Sequence, residues 1–206
     1  MVLIFMERVY IPSHSAESEF VEKKSRFISV ALAVNDPDRI RSIIKETRMA
    51  HPQSRHVVWA YILGNSRSVF GFSDDGEPHG TAGRPVLEVL KGSAMTDILI
   101  LVIRYFGGIK LGTGGLVQAY TKSAQTVLEK VEAIEKIERT RFRIVCSYHN
   151  YDSVKKAVLQ EKAEISNEEF GSDVSLEIDL PDDKIVSCSD LIRVISSGSS
   201  NIKKIE

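Results

Sequence analysis

Cysteine is scarce in this sequence: Cys146 and Cys188 are the two it has, far apart and outside any paired metal-ligand spacing. That excludes a disulfide-rich scaffold and a zinc ribbon, and favours buried free thiols in a reducing compartment over a single disulfide. Net charge is almost absent as well, at −1 over 206 residues. The halves before and after residue 135 are also near neutral, at +1 and −2. No global basic field draws this chain to nucleic acid, so any such contact must use a local patch. Long apolar runs are missing too; no stretch approaches the ~20 residues of a membrane span. The opening MVLIF is followed, after Met6, by Glu7 and Arg8, too short a run for a signal peptide. A cytoplasmic protein with no membrane partner is expected. Internal repeats and low-complexity tracts are absent.

What is present centres on Asp97 to Tyr120, DILILVIRYFGGIKLGTGGLVQAY. Ile98 to Ile103 is an unbroken branched apolar run followed by glycines, the signature of a strand buried on both faces. Gly107, Gly108, Gly112, Gly114 and Gly115 then fall within nine residues. From Leu116 the apolar positions Leu116, Tyr120, Ala124, Val127, Leu128 and Val131 recur at helical spacing, predicting a helix to about Ile134. Strand, glycine loop and helix N-terminus together make a seat for a phosphate or carboxylate, with exposed N–H groups and the positive end of the helix dipole. Arg104, Lys110 and Lys122 would add charge. The loop fits no nucleotide fingerprint: Leu116 and Val117 stand where a P-loop needs Lys and Ser/Thr, and a dinucleotide fold needs glycine at 117. The alternative is that the glycines only permit a tight crossing of strand, loop and helix.

Upstream, a weak strand or arm runs to about Glu22, and Arg26 to Val34 reads as a strand. Asp36 is a good N-cap and Pro37 a good first residue for a helix to about Met49. Val57 to Leu63 and Arg67 to Phe72 form a hairpin about Gly64-Asn65-Ser66. SDDGEPHGTAG, Ser73 to Gly83, is an acidic loop before a short helix that starts near Pro85 and ends at Gly92. After a charged segment at residues 135–139 the pattern changes: strand (Phe142 to Tyr148), helix (Tyr151 to Lys162), strands (Glu164 to Phe170, Val174 to Leu180), helix after Pro181, strand (Asn201 to Ile205). That βαββαβ order is the ferredoxin-like split unit. The expected fold is α+β in two domains, 1–135 and 136–206, the second a four-stranded sheet with two helices on one face.

Candidate chemistry is limited. Asp74, Asp75, Glu77 and His79 suit metal ligands or an acid–base group, with Thr81 a further binding candidate of the same loop, yet Asp-Gly and Glu-Pro are ordinary turn formers and the spaced repeat of a calcium loop is missing. His51 and His56 cannot chelate from one regular element; His56 is a candidate partner of the acidic loop. Tyr105 and Phe106 either stack on a base while Arg104 and Lys110 hold phosphate, or pack into the core. No catalytic set, metal or cofactor is expected.

KKSRF (Lys23–Phe27), RHVVWAY (Arg55–Tyr61), SDDGEPHGTAGRP (Ser73–Pro85) and RYFGGIKLGTGGLVQAY (Arg104–Tyr120) resemble the IMPACT/YigZ family over the first two-thirds of the chain. The tail resembles the smaller C-terminal domain of the bacterial members. Two positions depart from the pattern: His79 stands where Ser is usual, and Gln118 where Arg is usual, which removes a charge near the loop. The resemblance implies an N-terminal fold shared with a ribosomal-protein domain, an elongation-factor domain and the GHMP small-molecule kinases. It also implies a role in translation through RNA or the ribosome. The rivals are an enzyme holding a phosphorylated small molecule between the two loops, and a protein-interaction module whose partner the sequence does not name. Both loops are glycine-rich and polar and each borders a buried strand or helix, so Asp74–Gly83 and Gly107–Gly115 are expected to be adjacent and to line one cleft, with Arg104 and Lys110 at its edge.

Overall fold

The computed structural model describes residues 8–205; the apolar MVLIF start lies outside the described residues. Two compact units divide the chain between Lys136 and Ile137.

The first unit contains β1 (Tyr10–Pro12), β2 (Ala16–Glu22), β3 (Ser25–Ala33), α1 (Pro37–Ala50), β4 (His56–Leu63), β5 (Val69–Ser73), α2 (Gly83–Gly92), β6 (Ile98–Tyr105), α3 (Gly112–Leu128) and β7 (Ala133–Glu135). Its main sheet has the order β2-β3-β6-β4-β5, and every neighbouring pair is antiparallel. Strand β6 is central, and helices lie on both sides, which is why it lacks the alternation of a half-exposed strand. Ile98, Ile100 and Val102 point to α2 and α3, packing with Val86, Leu90, Leu116 and Tyr120. Leu99, Leu101 and Ile103 point the other way, toward Ile40 of α1. Helix α1 starts as its sequence dictates: the Asp36 carboxylate accepts from the Asp38 N–H at 2.9 Å, and Pro37 opens the first turn.

The long helix differs from expectation at both ends. It begins at Gly112, so Gly112, Gly114 and Gly115 form its first turn rather than a loop, and it stops at Leu128 rather than near Ile134. The Lys130 and Val131 N–H groups turn back to the Val127 and Leu128 carbonyls, and Ala133–Glu135 then pairs with Tyr10–Pro12 as a two-stranded ribbon. A pairing partner more than 120 residues away in sequence outweighs the local helical pattern. The same ribbon gives the N-terminal arm its first strand.

The second unit contains β8 (Arg139–Cys146), α4 (Tyr148–Gln160), β9 (Glu164–Phe170), β10 (Val174–Pro181), α5 (Ile185–Ile195) and β11 (Ile202–Lys204), with a 3-10 turn at Asp182–Lys184. The sheet order β11-β8-β10-β9, antiparallel throughout, is that of a ferredoxin-like unit. Phe142, Ile144, Leu176 and Ile178 pack with Val154 and Val158 of α4 and Ile192 of α5. On the other face the charges pair across strands, Arg141 with Asp179 at 2.8 Å and Arg143 with Glu177 at 2.5 Å. The Arg141 guanidinium holds the Asp179 carboxyl below its ordinary range. Both cysteines are buried and unbonded. Burial pushes the Cys188 thiol up to about 11 and raises Cys146 as well, so both stay protonated and unreactive near neutral pH. Among the described residues no helix is long and apolar enough to cross a membrane.

Candidate functional site

The chemistry-bearing residues gather at one end of the first unit, where the last residues of β6 meet the acidic loop and α3. Strand register puts Phe27, Arg104 and His56 side by side. Arg104 follows Ile98, Ile100 and Val102 in the alternation, so it points under α3 instead of into solvent. It is 5% exposed. Its Nη1 donates to Glu77 Oε1 at 2.6 Å, and Nη2 to Ser25 Oγ at 3.3 Å. Tyr120, from the buried stripe of α3, donates its hydroxyl to the same Glu77 oxygen at 2.7 Å. Burial, with the Glu77 carboxylate beside it, keeps that phenol protonated at any ordinary pH. His56 Nδ1 donates to the Asp75 carbonyl at 2.7 Å, and its Nε2 lies 3.7 Å from Glu77 Oε2.

The acidic loop is engaged with its own protein. The Asp74 carboxylate accepts from the N–H groups of Gly80, Ala82 and Gly83 at 2.8, 3.0 and 2.8 Å, and so caps the loop onto the start of α2. Asp75 accepts from the Val57 N–H at 2.5 Å and pairs with Arg48 of α1, tying the loop to the edge of β4. Thr81 donates to the Pro78 carbonyl at 2.6 Å. Each of Asp74, Asp75, Glu77 and Thr81 thus has an internal role, and no group of three His, Cys, Asp or Glu residues is placed to hold a metal among the described residues. His79 is fully exposed at its side chain, and His51 bonds Tyr105 at 2.7 Å on the α1 side of the sheet.

Glu77 of the acidic loop is held by Arg104 and Tyr120, which flank the glycine-rich stretch on either side, and not across an open cleft. Arg104 is therefore not at an edge where it could take a phosphate; its charge is spent on Glu77. Tyr105 is half-buried against the α1 layer, while Phe106 is 48% exposed, with the Arg104 guanidinium 5.5 Å from its ring centre. The exposed cations come from elsewhere. Lys23 and Lys24 form the turn between β2 and β3 with φ of 44° and 64°, the left-handed pair of a two-residue hairpin. That turn sits against Gly107, where a Cβ would come within 1.9 Å of the Lys24 carbonyl oxygen. Lys110 lies three residues further on. All three lysines are exposed, and none pairs with a carboxylate among the described residues. Lys122 rests over the Phe20 ring at 4.6 Å. No Asn-Gly or Asp-Gly signal marks the turn of Lys23 and Lys24 in the sequence, and the helical spacing of Tyr120 points to the core without revealing its hydroxyl bond to Glu77. Gly107→Ala should lower stability by about 1–3 kcal/mol through overpacking against fixed backbone, read by urea denaturation; an unchanged midpoint would mean that the turn moves freely.

The glycines divide by cause. Gly107 is required by the Lys24 backbone, and Gly108 and Gly112 by φ of 87° and 77°. Gly115 lies close to Leu111, with a Cβ contact of 3.1 Å. Gly114 has neither reason: its φ is not left-handed, and nothing lies within 4 Å of where its Cβ would be. It sits in the first turn of α3, which no side chain caps. Around the corner, Gly80, Arg84, Val89, Val117 and Leu128 line a groove of about 890 Å³ between α2 and α3.

A family model described as the Impact N-terminal domain matches residues 23–128, and one for a domain of unknown function, DUF1949, matches residues 144–199. The chain is 36% identical over 203 residues to an IMPACT family member of Haemophilus influenzae, covering 98% of each chain. It is 34% identical to IMPACT family member YigZ of Escherichia coli, covering 98% of this chain and all of that one. With IMPACT family member YvyE of Bacillus subtilis the identity is 33%, over 93% and 88% of the two chains. A solved structure titled as that of a hypothetical protein superposes with a TM-score of 0.69 at 35% identity, over 98% of each chain.

Proposed function

Because this chain belongs to the IMPACT family, we propose that it is a translation-associated factor that binds RNA at the glycine-rich start of α3. The translation role rests on family membership. The site rests on Gly114. A glycine in a helical turn costs about 1 kcal/mol relative to alanine, and here neither φ nor packing calls for one. A bare backbone at an uncapped helix start suits close approach of a phosphate. Exposed Lys23 and Lys24, on the turn that leans on Gly107, and Lys110, two residues before the helix, supply charge on the same loop, and exposed Phe106 offers a face on which a base can stack. The paired charges on the open sheet face of the second unit suit RNA poorly, so the reading is confined to the first unit. The enzyme reading has less support, since the acidic carboxylates it would use for a metal are bonded internally.

Binding of labelled single-stranded RNA, followed by anisotropy between 50 and 200 mM salt, tests the proposal. Affinity should fall steeply with salt, and each of Lys23→Gln, Lys24→Gln and Lys110→Gln should flatten the log–log slope by about 0.7. Gly114→Ala should weaken binding while raising fold stability slightly. Salt-independent binding, or full affinity in the triple lysine variant, would sink the reading. Inorganic phosphate that raises the thermal unfolding midpoint at low millimolar concentration, with no RNA binding at any salt, would favour a phosphorylated small molecule instead.

A further inference from the structure

The main sheet of the first unit ends on β5, whose outer edge has no partner strand among the described residues. Edge strands normally carry a charge, a proline or a bulge that discourages pairing. The opposite edge, β2, carries Glu17, Glu19 and Glu22; in the second unit β9 carries Glu164, Glu168 and Glu169, and β11 is three residues long with two lysines. Strand β5 has none of these devices. It reads Val-Phe-Gly-Phe-Ser, its register with β4 is unbroken, and Val69, Phe70 and Phe72 are 50%, 46% and 39% exposed.

The strand also reads nearly the same in both directions about Gly71. A two-fold interface must be complementary to itself, and a near-palindromic strand meets that condition in antiparallel pairing. We propose that a second copy of this chain pairs along β5, with Gly71 opposite itself and Phe70 opposite Phe72 of the partner subunit. Phe70 and Phe72 pair with Ile62 and Ala60 of β4, so they lie on the α2 side of the sheet. The dimer gathers four phenylalanines there, beside the Lys91 ammonium that sits 4.1 Å over the Phe70 ring. On the other side the Tyr61 ring lies against Gly71, close enough that a Cβ would meet it at 2.8 Å, which keeps the centre of the pairing flat. Continued outward, the register opposes no like charges, and the Arg67, Asp74 and Asp75 side chains stay engaged within their own copy.

Area sets the strength. The three side chains offer roughly 250 Å² of apolar surface per copy, against the ~800 Å² of a stable complex. The dimer is therefore weak and concentration-dependent. Sedimentation of the full chain from about 1 µM to about 500 µM should show a reversible monomer–dimer equilibrium. Phe70→Lys and Val69→Lys, on opposite faces of the same strand, should each weaken it at least about tenfold with unchanged circular dichroism, whereas Phe70→Leu should retain it. A chain that stays monomeric, including one that carries a co-purified peptide on this edge, overturns the proposal. So does a dimer indifferent to both lysine substitutions.

Discussion

Glu77→Ala should destabilise the first unit by about 3–5 kcal/mol, the cost of leaving a buried charge without its counterion. Arg104 and Glu77 are both buried, and one oxygen of Glu77 takes both the Arg104 guanidinium and the Tyr120 hydroxyl. Removing the carboxylate strands a cation and a phenol together, at the point where β3, β4, β6, α3 and the acidic loop converge. Glu77→Gln should recover part of the loss, since the amide oxygen still accepts from both donors. Glu77→Ala combined with Arg104→Met should recover more, because the uncompensated charge is gone. The chain's one tryptophan, Trp59 of β4, reports on this unit during urea unfolding. A Glu77→Ala midpoint within error of wild type would mean that the ion pair contributes nothing; a double variant no better than the single one would mean that charge is not the cause.

Asp74→Ala should cost about 2–4 kcal/mol, because three N–H groups lose one shared acceptor. Ordinary caps satisfy one donor and are worth about 1 kcal/mol; this carboxylate satisfies Gly80, Ala82 and Gly83 together and is only 12% exposed at its side chain. Asp74→Asn retains acceptor capacity in one oxygen and should lose about half as much. RNA affinity at fixed salt should hold in Asp74→Asn, since the residue faces its own loop. Hydrogen exchange of the Gly80–Gly83 amides gives the local readout: the alanine variant should exchange faster there. Protection equal to wild type would show that other groups hold the turn.

Much of the fold is legible in the residues. The all-apolar run of β6 announces a strand covered on both sides, Asp36-Pro37 marks the start of α1, and the βαββαβ order after residue 140 reveals the tail's split unit. What was hidden depends on distant partners. The end of α3 is decided by β1, and the start of α3 by φ values of glycines that read equally well as loop. The cluster at the end of β6 was not legible in its roles. Spacing brings Glu77 to mind as a ligand, and Arg104 as a phosphate contact, because sequence does not say that register will bury them against each other. Lys23 and Lys24 escaped because their importance comes from a turn leaning on Gly107, across a gap of more than 80 residues.

The ribbon of β1 and β7 has a kinetic consequence. It fastens Tyr10 to Glu135, almost the two ends of the first unit, and the central strand β6 reaches back some seventy residues to β3. Contacts this distant make loop closure the slow step of folding. During synthesis the early strands must therefore wait, β2 and β3 for β6, and β1 for β7, until nearly the whole unit has been made. Through that interval the uncharged edge of β5 is available before its own sheet is finished, which makes it the segment most exposed to pairing with the wrong neighbour.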